Sequence, residues 1–216
     1  MYARPAPPRG QQDILGRPGD VLRALTVTAS SARHLGRAFF IDIVKLDDDD
    51  FTLFGLPQRF AQDGAEIAQR WKALAAKVHP DRFAADGAAS QRLAMQWSLR
   101  VNEAHQRLRD PLKRASYLCE LRGAPIQANE NTRMPAAFLM EQMEWRESLD
   151  EARTPEAILA IDQQVAGRER ALLAQAGRQL DDENDAAAAA ESVRALMFLT
   201  RFRSDIDQRL DALEHS

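Results

Sequence analysis

Ile67, Trp71, Leu74 and Val78 recur at +4, +3 and +4, the spacing of one helix face, and His79-Pro80 then stops the run. The residue before a proline is pushed out of the α region, and proline has no amide to donate, so a helix over about Gly64 to Val78 must end there. A second seam follows after a loop that runs through about Gly87: Ala94, Trp97, Val101, Ala104 and Leu108, at alternating +3 and +4. Each stripe needs a partner, and the connection is short, so the two helices must fold back antiparallel and bury their stripes against each other.

The rest of the chain is written in the same chemistry. Aromatics make up 6% of 216 residues, Gly and Pro number ten each, and Ala, Leu, Glu, Gln and Arg dominate, which favours helices over sheets. The expected fold class is all-α. Thr52 to Pro57 reads as a short apolar turn, and Asp110-Pro111 opens a helix over Leu112 to about Leu121 that Gly123 and Pro125 end. Residues 124–132 read as a linker between one unit over 47–123 and a second over 133–216. That second unit holds three helical stretches: about Pro135 to Arg153, Pro155 to about Gln175, closed by Gly177, and Asp185 to about Leu213. They suit a three-helix bundle.

Several functions are excluded by composition. The single cysteine, Cys119, cannot close an internal disulfide, and no Cys/His cluster supplies zinc ligands. A net charge of −3 gives no overall basic field to gather nucleic acid. No stretch approaches 18 uninterrupted apolar residues, so no membrane-spanning helix is expected. Residues 1 to about 46 differ from the rest, with four prolines, six arginines and only Asp13, Asp20 and Asp42 as acids. The segment reads either as a presequence or as upstream sequence translated from an early start codon. The interrupting acids and the lack of a targeting pattern favour the second. Ordered structure is expected from Asp47 to Asp50 onward.

Two surfaces carry chemistry. The first is His79-Pro80-Asp81, at the tip of a hairpin whose leading helix bears Arg70, Lys72 and Lys77. Pro80 stiffens the loop, Asp81 has no obvious local partner, and a carboxylate beside a basic helix suits a partner that offers both an arginine and a negative patch. The second lies on the helix that begins near Pro135. At about 100° per residue, Phe138, Gln142, Trp145, Leu149 and Ala152 fall within about 40° of one direction, the core face. Leu139, Met140 and Met143 fall more than about 100° away, beside Glu144, Glu147 and Glu151. In the last helix Leu196, Leu199, Phe202, Ile206, Leu210 and Leu213 share a face, with Met197 and Phe198 off it. An apolar patch with an acidic rim suits a partner-binding site, with core packing or packing against the hairpin as the residue-level alternatives.

Phe51-Thr-Leu-Phe-Gly-Leu-Pro57, Lys77-Val-His-Pro-Asp-Arg-Phe83 and the run from Val101 to Leu118 resemble a J-domain in order and spacing. Val78 stands where an aromatic is common, and Ala76 where a basic residue is expected. Phe138-Leu-Met-Glu-Gln-Met-Glu-Trp-Arg-Glu147 and Ser192-Val-Arg-Ala-Leu-Met-Phe-Leu199 resemble the C-terminal domain of the HscB family of iron–sulfur cluster assembly co-chaperones. The resemblance runs from about Phe51 to the C-terminus. It implies an L-shaped arrangement of J-domain and bundle, and a cofactor-free, non-enzymatic role. His79, Pro80, Asp81, Arg70, Lys72, Lys77 and Arg82 would engage an HscA/DnaK-type chaperone and stimulate its ATPase. Leu139, Met140, Met143, Glu144, Glu147, Glu151 and Phe198 would bind an IscU-type scaffold. Location would be cytoplasmic, or the mitochondrial matrix if residues 1–46 are a presequence.

Three other readings fit the sequence less well. An enzyme using His79 and Asp81 as an acid–base pair lacks a nucleophile, a phosphate cradle or a metal cluster. A general J-protein that delivers unfolded clients would suit a Gly/Phe-rich linker or a cysteine-rich zinc module, and neither is present. A purely structural helical protein would have no use for the intact loop motif.

Overall fold

The computed structural model describes residues 45–126 and 134–214. The extension up to Val44 and residues 127–133, which take in most of the linker expected over 124–132, lie outside the described residues. Among the described residues the chain is all-α, with seven α-helices and no strand. The helices are α1 (Asp50–Phe54), α2 (Gly64–Val78), α3 (Ala88–Arg109), α4 (Pro111–Leu121), α5 (Ala136–Glu151), α6 (Pro155–Asp181) and α7 (Ala186–Glu214). A 3-10 turn over Pro80–Phe83 lies between α2 and α3.

The hairpin forms as its seams require. Asp63 caps α2 by accepting from the Ala65 amide at 2.8 Å. Ala94, Trp97, Val101, Ala104 and Leu108 are all buried, against Ile67, Leu74 and Val78. Trp71 sits at the edge of the seam, stacked on His105 at 4.5 Å and donating from its indole to Asn102 at 2.9 Å.

The segment read as a turn over Thr52 to Pro57 is helical from Asp50 to Phe54. Asp49 caps it, taking the amides of Phe51 and Thr52 at 2.9 and 3.1 Å. Gly55 ends it in the left-handed region at φ +63°. A side chain there would also collide with the Arg70 guanidinium, 2.9 Å from an added Cβ. Asp50, which the sequence shows only as part of an acidic run, is fully buried between Arg100 at 2.6 Å and Arg107 at 3.1 Å. Periodicity could not find this contact, because the two arginines lie 50 and 57 residues further along the chain, on α3.

In the bundle, α6 runs through Gly177 to Asp181, past the end assigned near Gln175. Gly177 is therefore not a cap. Its missing side chain makes room for the ring of Phe60, which an added Cβ would meet at 2.7 Å. Around that contact the Asp181 carboxylate accepts the amides of Phe60 and Ala61 at 2.6 and 2.8 Å. Arg114, buried on α4, donates to the Phe60 carbonyl at 2.8 Å and lies over its ring at 5.1 Å. Arg122 donates to the carbonyls of Leu180 and Gln58. With α4 packed on α6 and α7 as well, the chain from Lys45 onward is one compact unit. The hairpin and the bundle are thus joined by a packed seam in addition to the connecting segment.

Candidate functional sites on the hairpin tip and on α5

At the tip, His79 is extended (φ −61°, ψ 128°), as a residue before proline should be, and Pro80 starts the 3-10 turn. The His79 Nδ1 accepts the Asp81 amide at 3.3 Å and lies 3.6 Å from the Asp81 Oδ2. Even so, 90% of the Asp81 side chain is exposed. The loop therefore fixes the backbone of Asp81 and leaves its carboxylate to solvent. Arg82 folds back and donates to the Ala76 carbonyl at 2.9 Å, satisfying the C-terminal end of α2.

The cations expected beside the loop are not gathered into one cluster. Lys77 is exposed in the last turn of α2, next to the loop. Lys72 is exposed too, but about 140° away around the helix. Arg70 lies two turns back and is committed to structure: it donates to the Phe54 carbonyl at 2.7 Å and to the Gly55 carbonyl, and it pairs with Glu66. It ties α1 to α2.

On α5 the helical wheel and the burial agree. Phe138, Leu149 and Ala152 are buried, and Gln142 and Trp145 are half-buried, whereas Leu139, Met140 and Met143 are 45%, 63% and 70% exposed. Glu144, Glu147 and Glu151 are exposed beside them and have no partner among the described residues. Glu141, in contrast, is paired with Arg168 at 2.9 Å.

Phe198 departs from its expected place off the core. It packs edge-on against Phe138 at 5.9 Å and stacks on Phe202 at 6.1 Å, half-buried, with the Arg146 guanidinium 5.5 Å above its ring. The reason is that α5 covers that flank of α7, so a ring at the border of the α7 core stripe reaches a second row of aromatics.

Burial pushes the Cys119 thiol up to about 11, so it stays protonated and inert at neutral pH. Burial, followed by the nearby charge of Arg109, holds His105 below its ordinary value. Among the described residues no group of three or more His, Cys, Asp or Glu side chains is placed to hold a metal ion. Among them, too, no helix is long and apolar enough to cross a membrane.

The chain is 48% identical over 176 residues to a co-chaperone protein HscB homolog of Burkholderia mallei, covering 80% of this chain and 100% of the relative. The chain belongs to the HscB co-chaperone family. The family model described as the HSCB C-terminal oligomerisation domain matches residues 134–207, the region of α5, α6 and most of α7. Among solved structures, chaperone HscB from Vibrio cholerae superposes with a TM-score of 0.65 at 36% identity, covering 77% of this chain and 99% of that one. The human co-chaperone protein HscB superposes at 0.72 with 26% identity, covering 77% and 84%. Membership of the HscB family makes the chain a co-chaperone of iron–sulfur cluster assembly, with the J-type hairpin the family implies.

Proposed function

We propose that this HscB-family chain stimulates the ATPase of an HscA/DnaK-type chaperone through its hairpin tip and delivers an IscU-type scaffold through α5. The observation that carries the reading is the coexistence of two unsatisfied surfaces of different chemistry on one compact unit. One is a rigid tip with an exposed carboxylate, and the other is an exposed Leu/Met stripe edged by unpaired glutamates.

At the tip, Asp81 would meet an arginine of the chaperone, His79 and Pro80 would hold it in place, and Lys72, Lys77 and Arg82 would face acidic groups of the same partner. On α5, Leu139, Met140 and Met143 would supply apolar area, and Glu144, Glu147 and Glu151 the charge that orients the scaffold. Phe198, half-buried, would contribute the part of its side chain that remains exposed. The chain would carry no cluster of its own, consistent with a single buried thiol, and would act beside its partners in the cytoplasm.

The deciding experiment is a pull-down with a purified IscU-type scaffold alongside an unfolded-peptide control. Capture of the scaffold and not of the peptide is expected. Equal capture of both would favour a general client-delivering J-protein.

A further inference from the structure

The outward stripe of α5 does not end at Met143. The same +4, +3, +4 stepping that links Leu139 to Met143 continues to Arg146 and Asp150. These two residues form one wall of a groove of about 430 Å³ between the C-terminal halves of α5 and α7. Leu149 and Phe202, both buried, lie at its base, and Asp205, Gln208 and Arg209 on α7 form the opposite wall. Phe202 is held from two sides, stacked with Phe198 at 6.1 Å and with Trp145 at 6.3 Å, so the groove is preformed.

Its charges are not equally available. The Arg146 guanidinium is laid over the Phe198 ring, and Arg209 donates to the Ala152 carbonyl at 3.2 Å. The carboxylates of Asp150 and Asp205 are exposed and have no partner among the described residues. An apolar base below two free carboxylates, with both cations turned onto the protein itself, complements a side chain that has an apolar stem and a cationic head.

We propose that this groove receives a lysine- or arginine-bearing segment of the scaffold protein that docks on Leu139, Met140 and Met143, extending the docking surface from α5 onto α7. The proposal rests on the scaffold reading above. The groove is continuous with that surface along one face of α5, and Arg146 joins the two by lying over Phe198. The signs agree as well: Glu144, Glu147, Asp150, Glu151 and Asp205 are all unpaired carboxylates. A second copy of this chain is a poor occupant, because symmetric pairing would set these carboxylates against one another.

The test is a calorimetric titration of a purified IscU-type scaffold at low and high salt into three variants of the full chain. The pair Asp150→Asn with Asp205→Asn is expected to weaken binding by about threefold to tenfold, the range for two exposed ion pairs, and to flatten the salt dependence. The charge-keeping pair Asp150→Glu with Asp205→Glu is expected to bind like the unmodified chain. The pair Leu139→Ala with Met143→Ala is expected to weaken binding and keep the salt dependence. Unchanged affinity and salt response in the Asn pair, with binding lost in the apolar pair, would overturn the groove and leave the scaffold reading standing. Equal losses in the Asn and Glu pairs would show that shape and not charge is at work and would also overturn it. Normal binding by the apolar pair would remove the scaffold reading and the groove with it.

Discussion

The hairpin tip and the outward face of α5 are both exposed, yet they are built on opposite plans. At the tip a proline and a short 3-10 turn fix the backbone so that one carboxylate projects, touched among the described residues by the imidazole of the residue two before it. On α5 a regular helix presents three apolar side chains and a row of acids, none of them individually constrained. A partner that reads the tip depends on the position of one charge, whereas a partner that reads α5 depends on area and on summed charge. Single substitutions should therefore be nearly all-or-none at the tip and graded on α5.

The sharpest way to break this contrast is Asp81→Asn. The substitution is isosteric and the side chain is 90% exposed, so the melting temperature should not move. Stimulation of an HscA/DnaK-type ATPase should fall on the order of tenfold or more, the cost of removing one member of an interfacial charge pair. Scaffold binding should be unaffected. A steady-state ATPase assay with and without scaffold checks it, and a modest, graded loss would show that the tip is also read as a surface.

How far the sequence foretold these two regions differs as well. The hairpin seams and the core face of α5 were legible because helical burial repeats every three or four residues, and each expected seam residue lies at the packed interface or its edge. The exposure of Leu139, Met140 and Met143 was legible by the same arithmetic. Contacts between distant segments were not. Gly177 looks like a helix end because glycine often is one, and only the approach of Phe60, more than a hundred residues earlier, explains it. Arg70 looks like a free cation until the carbonyls of Phe54 and Gly55 are placed beside it. Phe198 sits at the border of its helix stripe, where the wheel cannot say whether a neighbouring helix covers it. Each of these depends on tertiary proximity, to which local periodicity is blind.

The seam between hairpin and bundle supplies the next test, because it should affect the two surfaces together. Gly177→Ala places a methyl against the Phe60 ring, whose room to yield is restricted by the Arg114 guanidinium over it and by a backbone held by Asp181 and Arg114. Overpacking of this kind costs about 1–3 kcal/mol, and the better helix propensity of alanine returns about 1 kcal/mol. A net loss of about 1 kcal/mol, or roughly 2–4 °C in melting temperature, is expected. Adding Phe60→Ala should relieve the clash, so the double variant should be more stable than the sum of the single losses predicts. Strict additivity would mean that the ring moves freely and that the seam does not couple the two regions.

The smallest effect should come from His105, which belongs to the hairpin alone. Burial, and then the charge of Arg109, hold its pKa below the ordinary histidine value, so near and below that value the unfolded chain binds more protons than the folded one. Stability should therefore fall slightly as the pH drops through the mid-6 range, and it should be recovered as the pH rises above it. His105→Gln should remove that slope while leaving the rest of the acid response in place. Melting curves at pH 7.5 and about pH 5.5 would measure it, and because His105 stacks on Trp71 at 4.5 Å, tryptophan emission offers a local readout. On acidification the melting temperature should begin to fall first, because the unfolded chain takes up the proton first; the emission of the folded protein should change only at lower pH, and the α5 stripe, which has no histidine, should keep its scaffold affinity over the same range. A parallel loss of scaffold affinity would show that the packed seam transmits the change to the bundle.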